Sequence, residues 1–206
     1  MSPPLAPRRV ADDVFEISVS TPAEAQRLAH ALRQQDLAED IVAGLDSVSI
    51  RFDPTTLDAV TTGLQTVKVR ADDSLQAGNL VEIGIEYGGE AGADLEQVCA
   101  HTGLSIADFI ALHTGAIHTV EMIGFTPGFS YISGLPEGLE VPRLSHPRPR
   151  VPAGAVGISA AFTGIYALPG PGGWPLIGRT SEILFDPAKD EPFLLKPGQQ
   201  VRFRAA

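Results

Sequence analysis

The sequence predicts an α+β protein of two unequal parts. A small N-terminal layer of strands and helices occupies residues 1–75, and an antiparallel β-barrel occupies residues 79–206. Three observations predict this. Strand and helix patterns alternate over the first 75 or so residues. Beyond residue 117 short apolar runs divided by Gly and Pro replace helical periodicity. Between the two regimes Ala71-Asp72-Asp73-Ser74 and Gly78-Asn79 break the pattern, which places the boundary at 70–79.

The elements follow in order. Residues 14–19 (VFEISV) alternate apolar and polar and predict a strand. Thr21-Pro22-Ala23-Glu24 forms a capping box with Pro at the first helical position, and Ala25, Leu28, Ala29 and Leu32 carry a helix over 22–34. A second strand spans Val48–Phe52, Asp53-Pro54 ends it, a helix covers 55–66, and a short strand is predicted at Gln65–Val69. The second part opens with a strand at Leu80–Tyr87. Helices follow near 93–101 and from Ser105, where Asp108 completes another capping box. Strands are then predicted at Ile117–Ile123, Ala155–Ser159, Gly164–Leu168, Trp174–Ile177, Ile183–Phe185 and Val201–Arg204.

Composition narrows the function. The 206 residues carry a net charge of -10, so a nucleic-acid partner, which calls for a basic excess, is not expected. No run reaches the ~18 apolar residues of a membrane span, and the N-terminus has no apolar core of a secretory signal, so a cytoplasmic location is expected. The single cysteine, Cys99, excludes an internal disulfide and reads as a small core residue. Charge is uneven: residues 1–121 hold 19 acids and 7 bases, whereas 122–206 hold 6 acids and 8 bases. Residues 141–181 contain no acid but include Arg143, Arg148, Arg150 and Arg179, a stretch suited to an anionic ligand or to pairing with acids elsewhere. Phosphate-binding P-loop, dinucleotide, zinc-protease and nucleophile-elbow motifs are absent, and the five histidines show no metal-ligand spacing, so no metal site is expected.

Eight short motifs stand in a fixed order: Tyr87-Gly88-Gly89-Glu90; Asp94-Leu95; Thr102-Gly103-Leu104-Ser105; Leu112-His113; Gly124-Phe125-Thr126-Pro127-Gly128-Phe129-Ser130-Tyr131; Arg150-Val151-Pro152-Ala153-Gly154; Gly164-Ile165-Tyr166; and Pro171 to Thr180 (PGGWPLIGRT). In this order the chain resembles the family of the 5-oxoprolinase B subunit, also called allophanate hydrolase subunit 1 or the sporulation kinase inhibitor KipI. The match runs through nearly all of 81–206 and is looser over 1–75. Departures are Ser130 in place of a frequent proline, Gln199 after Pro197-Gly198, and His118 where Tyr is frequent.

The resemblance implies a ferredoxin-like N-terminal domain and a cyclophilin-like β-barrel. It implies a role as the B subunit in ATP-dependent opening of 5-oxoproline to glutamate, together with a homologous C subunit (KipA-like) and a larger A subunit. ATP would phosphorylate the lactam oxygen, after which water attacks. With no P-loop in the chain, ATP is expected at an interface or on a partner, and the isolated chain is expected to be inactive. The alternatives implied are inhibition of a sporulation-type histidine kinase and membership of an allophanate hydrolase or urea carboxyltransferase.

Candidate residues follow from chemistry and position. Phe125, Pro127, Gly128, Phe129 and Tyr131 form either a rigid loop whose backbone approaches a substrate or a turn pinned by buried rings. Arg148 and Arg150 flank Pro149, whose extended geometry projects them for forked contacts to a carboxylate or phosphate, with an inter-subunit ion pair as the other reading. Trp174 walls a pocket or fills the barrel. Arg179 binds an anion, with Thr180 hydrogen-bonding beside it. His113 is a candidate for proton transfer, or a C-terminal cap for the helix that starts at Ser105.

Overall fold

The computed structural model describes residues 6–67, 69 and 80–206. The chain divides into two compact units, Met1–Gln76 and Ala77–Ala206. The predicted boundary at 70–79 lies outside the described residues.

In the first unit β1 (Arg8–Ala11), β2 (Val14–Ser18), β3 (Asp40–Ala43) and β4 (Ser47–Arg51) form an antiparallel sheet in the order β1-β2-β4-β3. Helix α1 (Pro22–Arg33) begins as its capping residues require: the Glu24 N–H donates to Thr21 Oγ1 at 3.2 Å, and the Ser20 N–H donates to the Glu24 carboxylate at 2.9 Å. Leu28, Leu32 and the small Ala25 and Ala29 are buried with Phe15, Ile17, Val48 and Ile50 in one core. Each large side chain so buried stabilises by roughly 1.5–3 kcal/mol. A 3-10 turn (Pro54–Thr56), capped by Asp53, leads into α2 (Leu57–Thr66).

The strand predicted at Gln65–Val69 is corrected. Gln65 and Thr66 close α2, because the apolar spacing Val60–Leu64 runs on and the Thr66 hydroxyl donates to the Gly63 carbonyl at 2.8 Å; Lys68 lies outside the described residues. A ferredoxin-like fold would seat a strand from beyond the second helix beside β2. Here β1, from before β2, holds that place, and among the described residues of this unit no strand follows α2.

In the second unit β5 (Val81–Tyr87), α3 (Leu95–Thr102), α4 (Ile106–Gly115), β6 (His118–Ile123) and β7 (Ser130–Ser133) come first. Then come β8 (Arg148–Val151), β9 (Ala155–Ser159), β10 (Phe162–Ile165), β11 (Gly170–Gly172), β12 (Leu176–Arg179) and β13 (Gln200–Ala205). Seven strands close a barrel in the order β10-β7-β6-β13-β5-β12-β9, while β8 and β11 pair as a separate ribbon. The barrel is antiparallel except where β13 lies parallel to β5. A closed ring with an odd number of strands cannot alternate direction at every step, so one parallel pair is required.

Inward-facing Ile83, Ile85, Val120, Ile132, Val156, Ile158, Ile165, Ile177 and Phe203 fill the barrel, and α3 and α4 add Leu95, Val98, Cys99 and Phe109. Three strand assignments change. Trp174 packs into a side cluster and Pro175 has no N–H, so β12 starts at Leu176. β10 begins at Phe162, earlier than predicted. Residues 183–185 form an isolated bridge between Phe185 and Phe193 rather than a strand, because Leu184 and Asp186 bond within their own loop. Among the described residues no helix is long and apolar enough to cross a membrane.

Candidate functional site

Two of the motif segments meet on the outside of the barrel wall. Gly178 sits on β12 where an added Cβ would lie 2.6 Å from the Glu86 carbonyl oxygen, so only glycine lets β12 lie this close to β5. The resulting register sets Arg179 opposite Glu86. From the other side, Pro152-Ala153-Gly154-Ala155 makes a turn in which Gly154 has φ +80. A Cβ there would stand 2.2 Å from the Thr180 carbonyl oxygen. The Thr180 N–H donates to the Gly154 carbonyl at 2.9 Å, and Arg179 Nε donates to the Ala153 carbonyl at 3.1 Å.

These contacts frame a cleft of about 540 Å³, lined among others by Gly84, Glu86, Gly154, Arg179, Thr180 and Glu182. The volume suits a small organic ligand. Thr180 is buried, and its hydroxyl oxygen accepts the Glu182 N–H at 3.2 Å, which fixes the loop that follows. Arg179 is exposed and makes its one side-chain bond among the described residues through Nε, so the two terminal nitrogens of its fork are open to an anion.

The Gly124–Tyr131 segment braces this cleft from behind. Thr126 to Phe129 is a turn with Pro127 and Gly128 at its centre and Gly128 at φ +78, closed by the Phe129 N–H on the Thr126 carbonyl at 3.0 Å. Gly128 approaches so closely that an added Cβ would lie 2.8 Å from the Cβ of Ala167, itself a wall of the cleft. Phe125 is 61% exposed and holds φ +70, a strained conformation for an aromatic residue.

The remaining predicted side chains lie outside the cleft lining. Phe129, Tyr131, Tyr166 and Trp174 pack edge to face, with centroids 4.9 to 5.7 Å apart, on the opposite face of the wall from the barrel core. Trp174 therefore neither fills the barrel nor lines the cleft. Burial raises the Tyr131 and Tyr166 hydroxyls above the usual range. Arg148 pairs with Asp94 within the chain at 2.7 Å, and the other Asp94 oxygen accepts the Leu176 N–H at 2.7 Å, tying α3, β8 and β12 together. Arg150 is exposed on β8, outside the cleft.

His113 is fully buried. Its ring stacks on Phe203 at 4.7 Å, and the Tyr87 hydroxyl meets Nδ1 at 2.6 Å. Burial first, and the neighbouring His118 second, push its pKa down to about 3. The cap of α4 comes from His118, whose Nε2 bonds the His113 carbonyl at 2.9 Å. His113 is thus packed away from the cleft, and the geometry assigns the capping bond to His118 in its place.

Sequence reasoning passed over Glu86 and Glu182. The outward phase of Glu82, Gly84 and Glu86 in VEIGIEY was a usable signal for Glu86. Glu182 lies on a loop with no periodic pattern to mark it.

Comparison with known proteins places the chain. Residues 10–195 match the family model "Carboxyltransferase domain, subdomain C and D". A relative from Escherichia coli O157:H7, named as the B subunit of 5-oxoprolinase, is 40% identical over 190 residues, covering 91% of this chain and 87% of the relative. The solved structure of TTHA0988 is 35% identical with a TM-score of 0.79 and covers 94% of this chain, yet this chain spans only 40% of that one. The Kluyveromyces lactis urea amidolyase shares the fold at 17% identity and a TM-score of 0.74, over 98% of this chain and 15% of that one. This chain belongs to the carboxyltransferase subdomain C and D family, among relatives named for the B subunit of 5-oxoprolinase.

Proposed function

We propose that the chain is the B subunit of an ATP-dependent 5-oxoprolinase and that its cleft holds the substrate carboxylate. The observation that carries this reading is the meeting of Gly154 with Arg179-Thr180, which leaves a guanidinium fork open at a cleft of about 540 Å³. The relative's name supports the reaction class. Arg179 grips the carboxylate in a charge-assisted contact worth roughly 1.5–3 kcal/mol. Thr180 holds the loop from which Ser181 and Glu182 reach the same space.

The chain carries no P-loop to cradle a nucleoside triphosphate. ATP is accordingly assigned to the partners, a larger A subunit together with a C subunit, in the cytoplasm. The part of this chain is to bind and orient the lactam acid. TTHA0988 carries this fold in 40% of a longer chain, which supports work alongside further polypeptide.

The test is co-expression with the genomic neighbours and measurement of glutamate released from 5-oxoproline and ATP. Release that requires this chain, and falls at least ~10-fold with Arg179→Gln, supports the reading. Release unchanged when the chain is omitted refutes it.

A further inference from the structure

Arg179 and Glu86 stand directly opposite each other on neighbouring strands, and side chains in such register face the same side of the sheet. Oppositely charged residues so placed ordinarily pair. Four residues earlier on the same face of β5, Glu82 does so: it bonds Arg204 and lies 3.8 Å from Arg202, and the Arg204 contact holds its carboxyl below the usual range. Arg179 and Glu86 form no ion pair with each other. Arg179 is turned to the Ala153 carbonyl, and Glu86 lines the cleft with no side-chain partner among the described residues. The cleft therefore presents a cation and an anion, each open, on one wall.

Such a wall complements a ligand that carries a carboxylate and an N–H donor close together. A dicarboxylate would set its second charge against Glu86. A simple carboxylic acid would leave Glu86 without a donor. We infer that Glu86 is a specificity-determining residue that accepts the ring N–H of a lactam acid, or the ammonium of an α-amino acid, whose carboxylate lies on Arg179. This rests on the reading of the cleft as the substrate site and adds the residue that reads the ring N–H beside the carboxylate.

The experiment compares two probes on the intact chain, alone and with its co-expressed partners. One is 5-oxoproline; the other is its lactone counterpart, in which a ring oxygen replaces the N–H. Affinity is read by titration calorimetry. A site built to accept an N–H rejects the analogue that lacks it, here by at least ~10-fold. Glu86→Ala, an exposed position, is expected to bring the two affinities within about 3-fold, and Arg179→Ala to weaken both probes together.

Equal binding of the two probes by the wild-type chain, or a preference that survives Glu86→Ala, overturns the role of Glu86. If Arg179→Ala still weakens both, the cleft stands as the carboxylate site. Binding unaffected by Arg179→Ala, or no binding of 5-oxoproline in either preparation, overturns the cleft reading and the inference with it.

Discussion

Gly154 and Gly103 offer a matched pair of perturbations. Both hold positive φ, +80 and +72. At Gly103, the residue that ends α3, an added Cβ meets nothing within 4 Å. At Gly154 it would lie 2.2 Å from the Thr180 carbonyl oxygen, about 1 Å inside ordinary contact. Alanine at either site carries the left-handed penalty of roughly 1 kcal/mol. Only Gly154→Ala also forces Thr180 outward by about 1 Å, which breaks its 2.9 Å bond to Gly154 and moves Arg179 with it. A displacement of that size at a binding group costs on the order of 100-fold in turnover. Gly103→Ala is expected to lower the melting temperature by about 2–4 °C per kcal/mol and leave glutamate release within 2-fold. Gly154→Ala is expected to lose ~100-fold in release at a temperature where circular dichroism shows it folded. The reasoning is refuted if Gly154→Ala keeps more than about a third of the activity, or if Gly103→Ala loses as much.

Other outcomes follow from the same geometry. Asp94→Ala strands the Leu176 N–H and the Arg148 guanidinium, one of whose nitrogens is already buried without a partner among the described residues, and is expected to cost about 2–3 kcal/mol in urea denaturation. His113 titrates near 3 folded and near 6.5 unfolded, so the unfolded chain binds the extra proton between those values; the stability it contributes is complete above pH 6.5 and falls as pH drops toward 3. From pH 6.5 to pH 5 the loss is about 2 kcal/mol, and His113→Leu is expected to flatten that slope when denaturation midpoints are compared. Gly164→Val would drive a side chain within 2.8 Å of the Phe129 and Trp174 rings; it is expected to cost about 1–3 kcal/mol and to shift the emission of Trp174, the sole tryptophan, whereas unchanged emission would show that the cluster yields freely.

What was legible in the sequence was whatever rests on local chemistry. The cap at Thr21, the capping pair Ser105 and Asp108, and the alternation in VEIGIEY each state their structure within a few residues. The hairpin between β9 and β10 was not legible, because its loop is Ala160-Ala161 and Ala160 takes φ +48 with none of the usual turn residues. The ribbon of β8 and β11 was hidden likewise, since RPRV and GPG lack any strand-like pattern and pair only through the folded barrel.

The site shows the same division at closer range. Arg179 and Thr180 stand out from the sequence because they lie in a dense motif. Glu86 does not, since its importance is a relation: it matters only because Gly178 lets β12 reach β5 and so brings Arg179 opposite. Arg148 reads in the sequence as a ligand group and in the fold as a strut, because its partner Asp94 lies 54 positions away. The glycines connect the two levels. Gly128, Gly154 and Gly178 each sit where a Cβ would collide with the element behind the cleft or across from it. A glycine-rich motif in this chain is therefore a record of close approaches, and those approaches set the positions from which the charged side chains act.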